Sequence, residues 1–382
     1  MADLMRPGAA RSARSGVWPR LAGGLTRPRA DALVCLALFA LALLVRVYRL
    51  DAQSLWLDEG SSWELSRAGW GFLLGELLNP SAAYPLYHLL LKGWMALFGD
   101  SEAALRLPSA LAGALAVPAI YLAALELERL MGRDAGAADE RRPRGLPLSL
   151  YGLAAAALVL LSPYAIWYSQ EAKVYSLLLL VAALWAWALA RALRLRRRAD
   201  WALALAIGLV GVFVHRLAAL ALAAGLWAAA ALLPAPRGWR AWRAAGFGLA
   251  VAASALLLAA MVGGLGGEVV AGRSEAGAAI PAGPGLALGL TFVRFSVDRW
   301  PGDAPWWWLL PWALLAAWGL ARALIDLRDP RARPGALALL LLLLVPTGLF
   351  LAQLLLTRLY EARYLTVAYP AWALLLASPL AR

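Results

Sequence analysis

The stretch DALVCLALFALALLVRVYRLDAQSLWLDEGSSWE, residues 31–64, opens with an apolar run and closes on two adjacent acids. As a helix, about 20 such apolar residues cross the ~30 Å hydrocarbon layer of a bilayer. The run ends in RVYRLD, without the small-residue cleavage pattern of a secretory signal, and so reads as an uncleaved anchor. Asp58 and Glu59 follow within a few residues, flanked by Trp56 and Trp63. Carboxylates held beside aromatics at a membrane surface suit a general base or a cation site. They also suit a solvated acidic loop, or an N-cap, with a short helix starting at Asp58. Spacing alone leaves both readings open.

The same kind of run recurs along the whole chain. Of 382 residues, 63% are hydrophobic and 15% charged, with mean hydropathy +0.68. A soluble globular chain holds roughly 45–50% apolar residues. The alternating ten-residue segments of a transmembrane barrel are missing, so the fold class is all-α and polytopic. About ten spans are expected, near 31–50, 104–128, 147–163, 174–193, 201–214, 217–233, 244–264, 305–325, 336–356 and 365–380. Between them lie loops 51–102, 164–173, 265–303 and 357–364, the first long enough for amphipathic interfacial helices.

A net charge of +13 raises the question of a nucleic-acid partner. The Arg residues, however, gather at 6–29, 129–144, 191–198, 237–243 and 322–333. With these segments in the cytoplasm the four loops face outward and both termini lie inside, as the positive-inside rule requires. The basicity then marks topology in a plasma or inner membrane, and no nucleic-acid partner is expected. Residues 1–30 read as a disordered basic cytoplasmic tail and 31–382 as the membrane domain. Cys35 is the only cysteine, so an intrachain disulfide is excluded.

Two further outer loops carry polar chemistry. SPYAIWYSQEAKVYSL, residues 162–177, groups Tyr168, Gln170, Glu171, Lys173 and Tyr175; TRLYEARYL, residues 357–365, adds Arg363 and Tyr364. Residues 201–233 are too long for one crossing, about 50 Å at 1.5 Å per residue, and VHR near the middle marks a bend. That bend would set His215 and Arg216 in a water-filled recess, because an Arg facing lipid at mid-depth costs roughly 2.5–3.5 kcal/mol. Aromatics and amides suit sugar rings; Arg and Lys suit phosphate.

At these motifs the chain resembles the protein-mannosyltransferase and aminoarabinose-transferase branch of the GT-C glycosyltransferases. SLWLDEGSSW is similar to that branch's first outer-loop motif, in which the aspartate is taken to be catalytic. YPLYHLLLKGWMALFGDSEAALRLPSAL (84–111), with Tyr87 and His88, resembles its next block. SPYAIWYSQEAKVYSL is close to its SP..IWYSQEARMYSL, VHR falls where it often has THY, and RYLTVAYPAWALLLA matches its late RYLLPALPALALLLA. The likeness runs in order through residues 31–382. Ala83 stands where the family often has His, and Lys173 where it has Arg. The chain ends just after the last matched span, where many relatives continue.

The resemblance implies a glycosyltransferase that takes a sugar from a polyprenyl phosphate and gives it to a lipid, glycan or protein acceptor on the outer face. Asp58 would be the base. Glu59 and Glu171 would orient the acceptor or, with Asp58, hold a divalent cation; Lys173, Arg216 and Arg363 would meet the phosphate. Tyr87, His88, Tyr168, Gln170, Tyr175, His215 and Tyr364 would line the substrate site. No Gly-rich phosphate loop set between a strand and a helix is visible, which disfavours a nucleotide-sugar donor. A transporter or flippase of a lipid-linked sugar is the alternative class. It would call for charged paths or broken helices near the midplane, often in repeated halves, and no internal repeat is seen.

Overall fold

The structure is a computed structural model that describes residues 27–79, 82, 84–133, 148–234, 240–270, 280–281, 283–298, 305–357 and 359–381. It is an all-α membrane fold. The helices are α1 (Arg27–Val47), α2 (Leu57–Arg67), α3 (Trp70–Glu76), α4 (Pro85–Phe98), α5 (Glu102–Leu130), α6 (Leu150–Leu160), α7 (Pro163–Ser169) and α8 (Tyr175–Leu195). They continue as α9 (Arg198–Val214), α10 (Ala219–Leu232), α11 (Arg240–Val270), α12 (Pro284–Val297), α13 (Leu310–Asp326), α14 (Arg333–Thr357) and α15 (Tyr369–Ala377). A two-residue antiparallel pair, β1 (Ile280–Pro281) with β2 (Leu359–Tyr360), joins two of the loops. All of the tail but residues 27–30 lies outside the described residues, as do Ala83, Arg358 and much of 265–303.

Among the described residues, six helices are long and apolar enough to cross a membrane, or seven if α6 and α7, bent by 57°, form one span. Each of the ten expected spans contains a helix, but four are shorter than a crossing. Proline explains two of these. Pro163 splits α6 from α7, and Pro370 starts α15 anew after the 3-10 turn Ala362–Ala368. The third and fourth, α9 and α10, are parted at His215 as the VHR reading expects, with a 3-10 turn Arg216–Ala218 between them. The 51–102 loop folds as the three short helices α2, α3 and α4.

Helices α5 and α8 form the buried centre of the bundle, while α1, α11 and α13 are largely exposed, as lipid-facing helices are. Small residues permit the close approach. A Cβ on Gly225 would lie 2.6 Å from the Trp185 ring, so the glycine lets α10 close on α8 there. Proline-freed carbonyls find partners on other elements. Pro163 leaves the Val159 carbonyl without its helical N–H, and the buried Arg46 of α1 donates to it from Nη2 at 3.1 Å. Pro108 likewise frees the Ala104 carbonyl, which accepts from Trp94 Nε1 at 2.9 Å.

The ends of the bundle differ chemically. At one end the tails of α5, α8 and α13 meet in ion pairs: Arg129 and Arg194 with Glu126, and Arg133 with Asp326. At the other, the exit of α1 and the starts of α5 and α8 converge with α2, α4 and Ala362–Ala368.

Candidate active site

The acidic pair lies in the first turn of α2, where the exposed helix N–H groups favour negative charge. Trp56, not Asp58, is the residue that begins the helix, so Asp58 is not its N-cap. Glu59 reaches back to the Trp56 N–H at 3.3 Å, in the manner of a capping-box glutamate.

Glu59 is fully buried and its carboxylate is crowded with donors. Arg106 Nε donates to Oε1 and Nη2 to Oε2, both at 2.7 Å, and the Ala172 N–H donates to Oε1 at 2.7 Å. Arg106 spends its remaining N–H groups on the carbonyls of Leu50 (2.9 Å), Gln53 (2.7 Å) and Ser54 (3.1 Å). All five guanidinium donors are therefore used. This arrangement ties the exit of α1, the start of α2, α5 and the 170–174 loop into one knot. Sequence reasoning missed Arg106; its signal was an arginine set within the apolar run of LRLPSAL.

Asp58, one residue earlier, points elsewhere. Its Oδ2 accepts from Arg363 Nη1 at 2.7 Å, with both side chains buried. The Arg363 guanidinium also lies 5.3 Å from the centre of the Tyr175 ring. From there an aromatic and cationic chain runs inward. Tyr175 meets His215 at 5.9 Å, His215 meets Tyr84 at 5.8 Å, Tyr84 meets His88 at 5.0 Å, and Lys173 Nζ sits 5.6 Å over Tyr84. Tyr87 packs on His88 and Tyr168 on Tyr175. His215 accepts the Leu217 N–H on Nδ1 at 3.1 Å, which places its proton on Nε2. Burial, with Lys173 nearby, pushes His88 down to about 4, so it stands neutral at pH 7.

Three motif loops thus converge, and Asp58, His88, Lys173, Tyr175, His215 and Arg363 share one cluster. Arg216 is half-buried on the 3-10 turn beside His215. Tyr364 packs its ring on Phe350. Gln170 acts as a brace: its Nε2 donates to the Tyr48 carbonyl at 2.9 Å and to that of Arg46 at 3.3 Å. Tyr84, part of this cluster, was not singled out as a site residue from the sequence.

On the other side of Glu59 opens a recess of about 370 Å³, lined among others by Tyr48, Trp56, Arg106, Trp167, Gln170 and Glu171. Burial pushes the Glu171 carboxyl up to about 8. It is therefore largely protonated at neutral pH. Among the described residues no three His, Cys, Asp or Glu side chains form a metal-holding group. Asp58 and Glu59 each face a guanidinium, so the donor set of Asp58, Glu59 and Glu171 does not fit a divalent cation as it stands.

Fold and site together define an all-helical polytopic membrane protein with a buried polar cluster at one end of its bundle. Residues 80–234, which carry α4 to α10 and the side chains from Tyr84 to Arg216, match the family model described as "Protein O-mannosyl-transferase TMEM260 N-terminal domain". At the level of class this supports a membrane glycosyltransferase of the GT-C type. The match leaves out Asp58, Glu59 and Arg363. No curated protein and no solved structure matches the chain.

Proposed function

We propose that the chain moves a sugar, mannose by the description of the matching family, from a polyprenyl-phosphate donor to an acceptor hydroxyl, with Asp58 as the general base. The observation that carries this reading is the buried Asp58–Arg363 pair, 2.7 Å apart, at the head of a cluster holding Lys173, His88 and His215. Transfer needs one base for the acceptor proton and cations where the phosphate leaves.

In the reaction, the acceptor oxygen bonds to the sugar's C1 while the C1–O bond to phosphate breaks. The bonding pair goes to the phosphate oxygen, and the acceptor proton goes to Asp58. Oδ2 of Asp58 is fixed by Arg363, which orients the carboxylate. Lys173, Arg216 and Arg363 would receive the charge that grows on the phosphate, in surroundings where burial strengthens every such contact. Tyr175 and Tyr84, beside these cations, would flank the sugar. Glu59, saturated by Arg106, would act by positioning Asp58.

The Arg-rich end of the bundle fits the cytoplasmic side, which would put the cluster on the outer face, with both termini inside. Purified protein in proteoliposomes tests the reading. Labelled sugar should pass covalently from a polyprenyl phosphate to an acceptor in the wild type and not in Asp58→Asn; flipping of the donor with no new bond would overturn it.

A further inference from the structure

The recess beyond Glu59 has a floor that the cluster around Asp58 does not use. Glu171 is only 6% exposed; the neighbouring Trp167 side chain hydrogen-bonds its carboxyl group, and its Oε2 is buried with no hydrogen-bond partner. A buried polar atom left unpaired costs about 1–3 kcal/mol, which a hydroxyl bound at this oxygen would offset. The mouth is aromatic: Tyr48, Trp56 and Trp167 are 69%, 43% and 55% exposed.

The lining narrows the class of occupant. The buried wall offers an anion little, because Arg106 is saturated by Glu59 and three carbonyls and two carboxyl groups share it, while the other arginine of the lining, Arg49, is exposed to solvent at the rim. An extended peptide is disfavoured too. Peptide capture through the backbone needs free main-chain groups, and the carbonyls of Leu50, Gln53 and Ser54 are already taken by Arg106. What remains is flat apolar ring faces over a polar floor, which suits an uncharged ring with one apolar face and a hydroxyl edge.

We propose that this recess is the acceptor subsite and takes a sugar ring, stacked on Trp56 and Trp167, with a ring hydroxyl on Glu171. The proposal rests on the glycosyltransferase reading and adds that the acceptor's head is a carbohydrate. Asp58 does not line the recess, but Glu171 does and its charge interacts with that of Asp58, so an acceptor held there would lie next to the cluster that holds the base. The charged and titratable groups around Glu171 are Asp58 and Glu59 of α2, Tyr87 of α4, Arg106 of α5, Tyr168 of α7, and Arg363. Its acid form can donate as well as accept, which a hydroxyl can use either way.

Saturation-transfer NMR on the full chain in nanodiscs would test this with methyl α-mannoside, methyl β-glucoside and a Ser/Thr-containing hexapeptide as probes. At pH 6.5 at least one glycoside should show saturable transfer to its ring protons. Trp167→Ala should reduce it at least fivefold and Glu171→Ala likewise, while Glu171→Gln, a neutral hydrogen-bonding mimic, should keep it. Raising the pH to 9.5 should weaken binding in the wild type but not in Glu171→Gln. A merely structural Glu171 would show no such difference. Transfer to the hexapeptide but to neither glycoside, no transfer to any probe, or glycoside signals untouched by Trp167→Ala and Glu171→Ala would overturn the subsite. Because this assay needs no turnover, glycoside binding in a protein that transfers no sugar would overturn the proposed reaction and leave the subsite standing. Sugar transfer without glycoside binding would do the reverse.

Discussion

Arg46 and Ser169 lie 123 residues apart, and the Arg46 Nε donates to the Ser169 Oγ at 3.2 Å. The same guanidinium caps the Val159 carbonyl, while Ser169 donates onward to the Ala165 carbonyl at 2.5 Å. A cation in an apolar helix is thus consumed in fastening the broken α6–α7 segment, whose end carries Gln170, Glu171 and Lys173. Gly113 belongs to this joint, since a Cβ there would overlap the Ser169 Oγ.

Arg46→Lys keeps the charge but replaces a planar fork with a single point donor, which is no match for acceptors on three sides. We expect a loss of about 1–3 kcal/mol from the acceptors left unpaired. Thermal unfolding in detergent, read by the loss of the monodisperse chromatographic peak, should show a clear drop in midpoint. An unchanged midpoint would mean that the joint tolerates slack.

For the knot around Glu59, breaking one side should cost more than changing Asp58. Either change leaves a guanidinium buried without its carboxylate, at about 3–5 kcal/mol, but Glu59 also accepts the Trp56 and Ala172 N–H groups, so an amide in its place sets an N–H against one of its donors. Glu59→Gln should therefore lower folded yield and thermal midpoint well beyond Asp58→Asn. Equal stability of the two variants would contradict the positioning role.

Asp58→Asn removes the proton acceptor while keeping size and a hydrogen-bonding oxygen for Arg363. Turnover should fall about 10²- to 10⁴-fold, with donor binding kept. Arg363→Gln should weaken donor binding as well, which separates the two roles in a direct binding measurement. Full activity in Asp58→Asn would remove Asp58 from the chemistry.

Glu171 makes stability depend on pH. Burial raises its carboxyl from the ordinary 4.5 to about 8 in the folded protein. The folded state thus holds more protons between these values, and stability falls as pH rises through that window. The wild-type midpoint should decline from pH 5 to pH 8.5, and Glu171→Gln should flatten that part of the profile. Parallel profiles would place the titration elsewhere.

Topology can be checked in intact cells. Ser61→Cys and Glu275→Cys should each react with an impermeant thiol reagent if loops 51–102 and 265–303 face outward. Protection of both would reverse the orientation.

The all-helical membrane class, the short helices in the first loop and the break at VHR were all legible in the residues. Each follows from local hydropathy, proline or charge, acting within one or two turns of helix. The loops that build the polar cluster were legible for the same reason, since LDEG and YSQEAK concentrate polar groups where the apolar runs stop. Partnership was not. That Asp58 meets Arg363 across 305 residues, while its neighbour Glu59 turns to Arg106, depends on how α2 rotates against α5 and the Ala362–Ala368 turn. Adjacent residues on a helix point about 100° apart, so two like acids in one motif enter different surroundings. Only the packed bundle decides which guanidinium each finds, because a buried charge takes whichever partner the surrounding elements bring within reach.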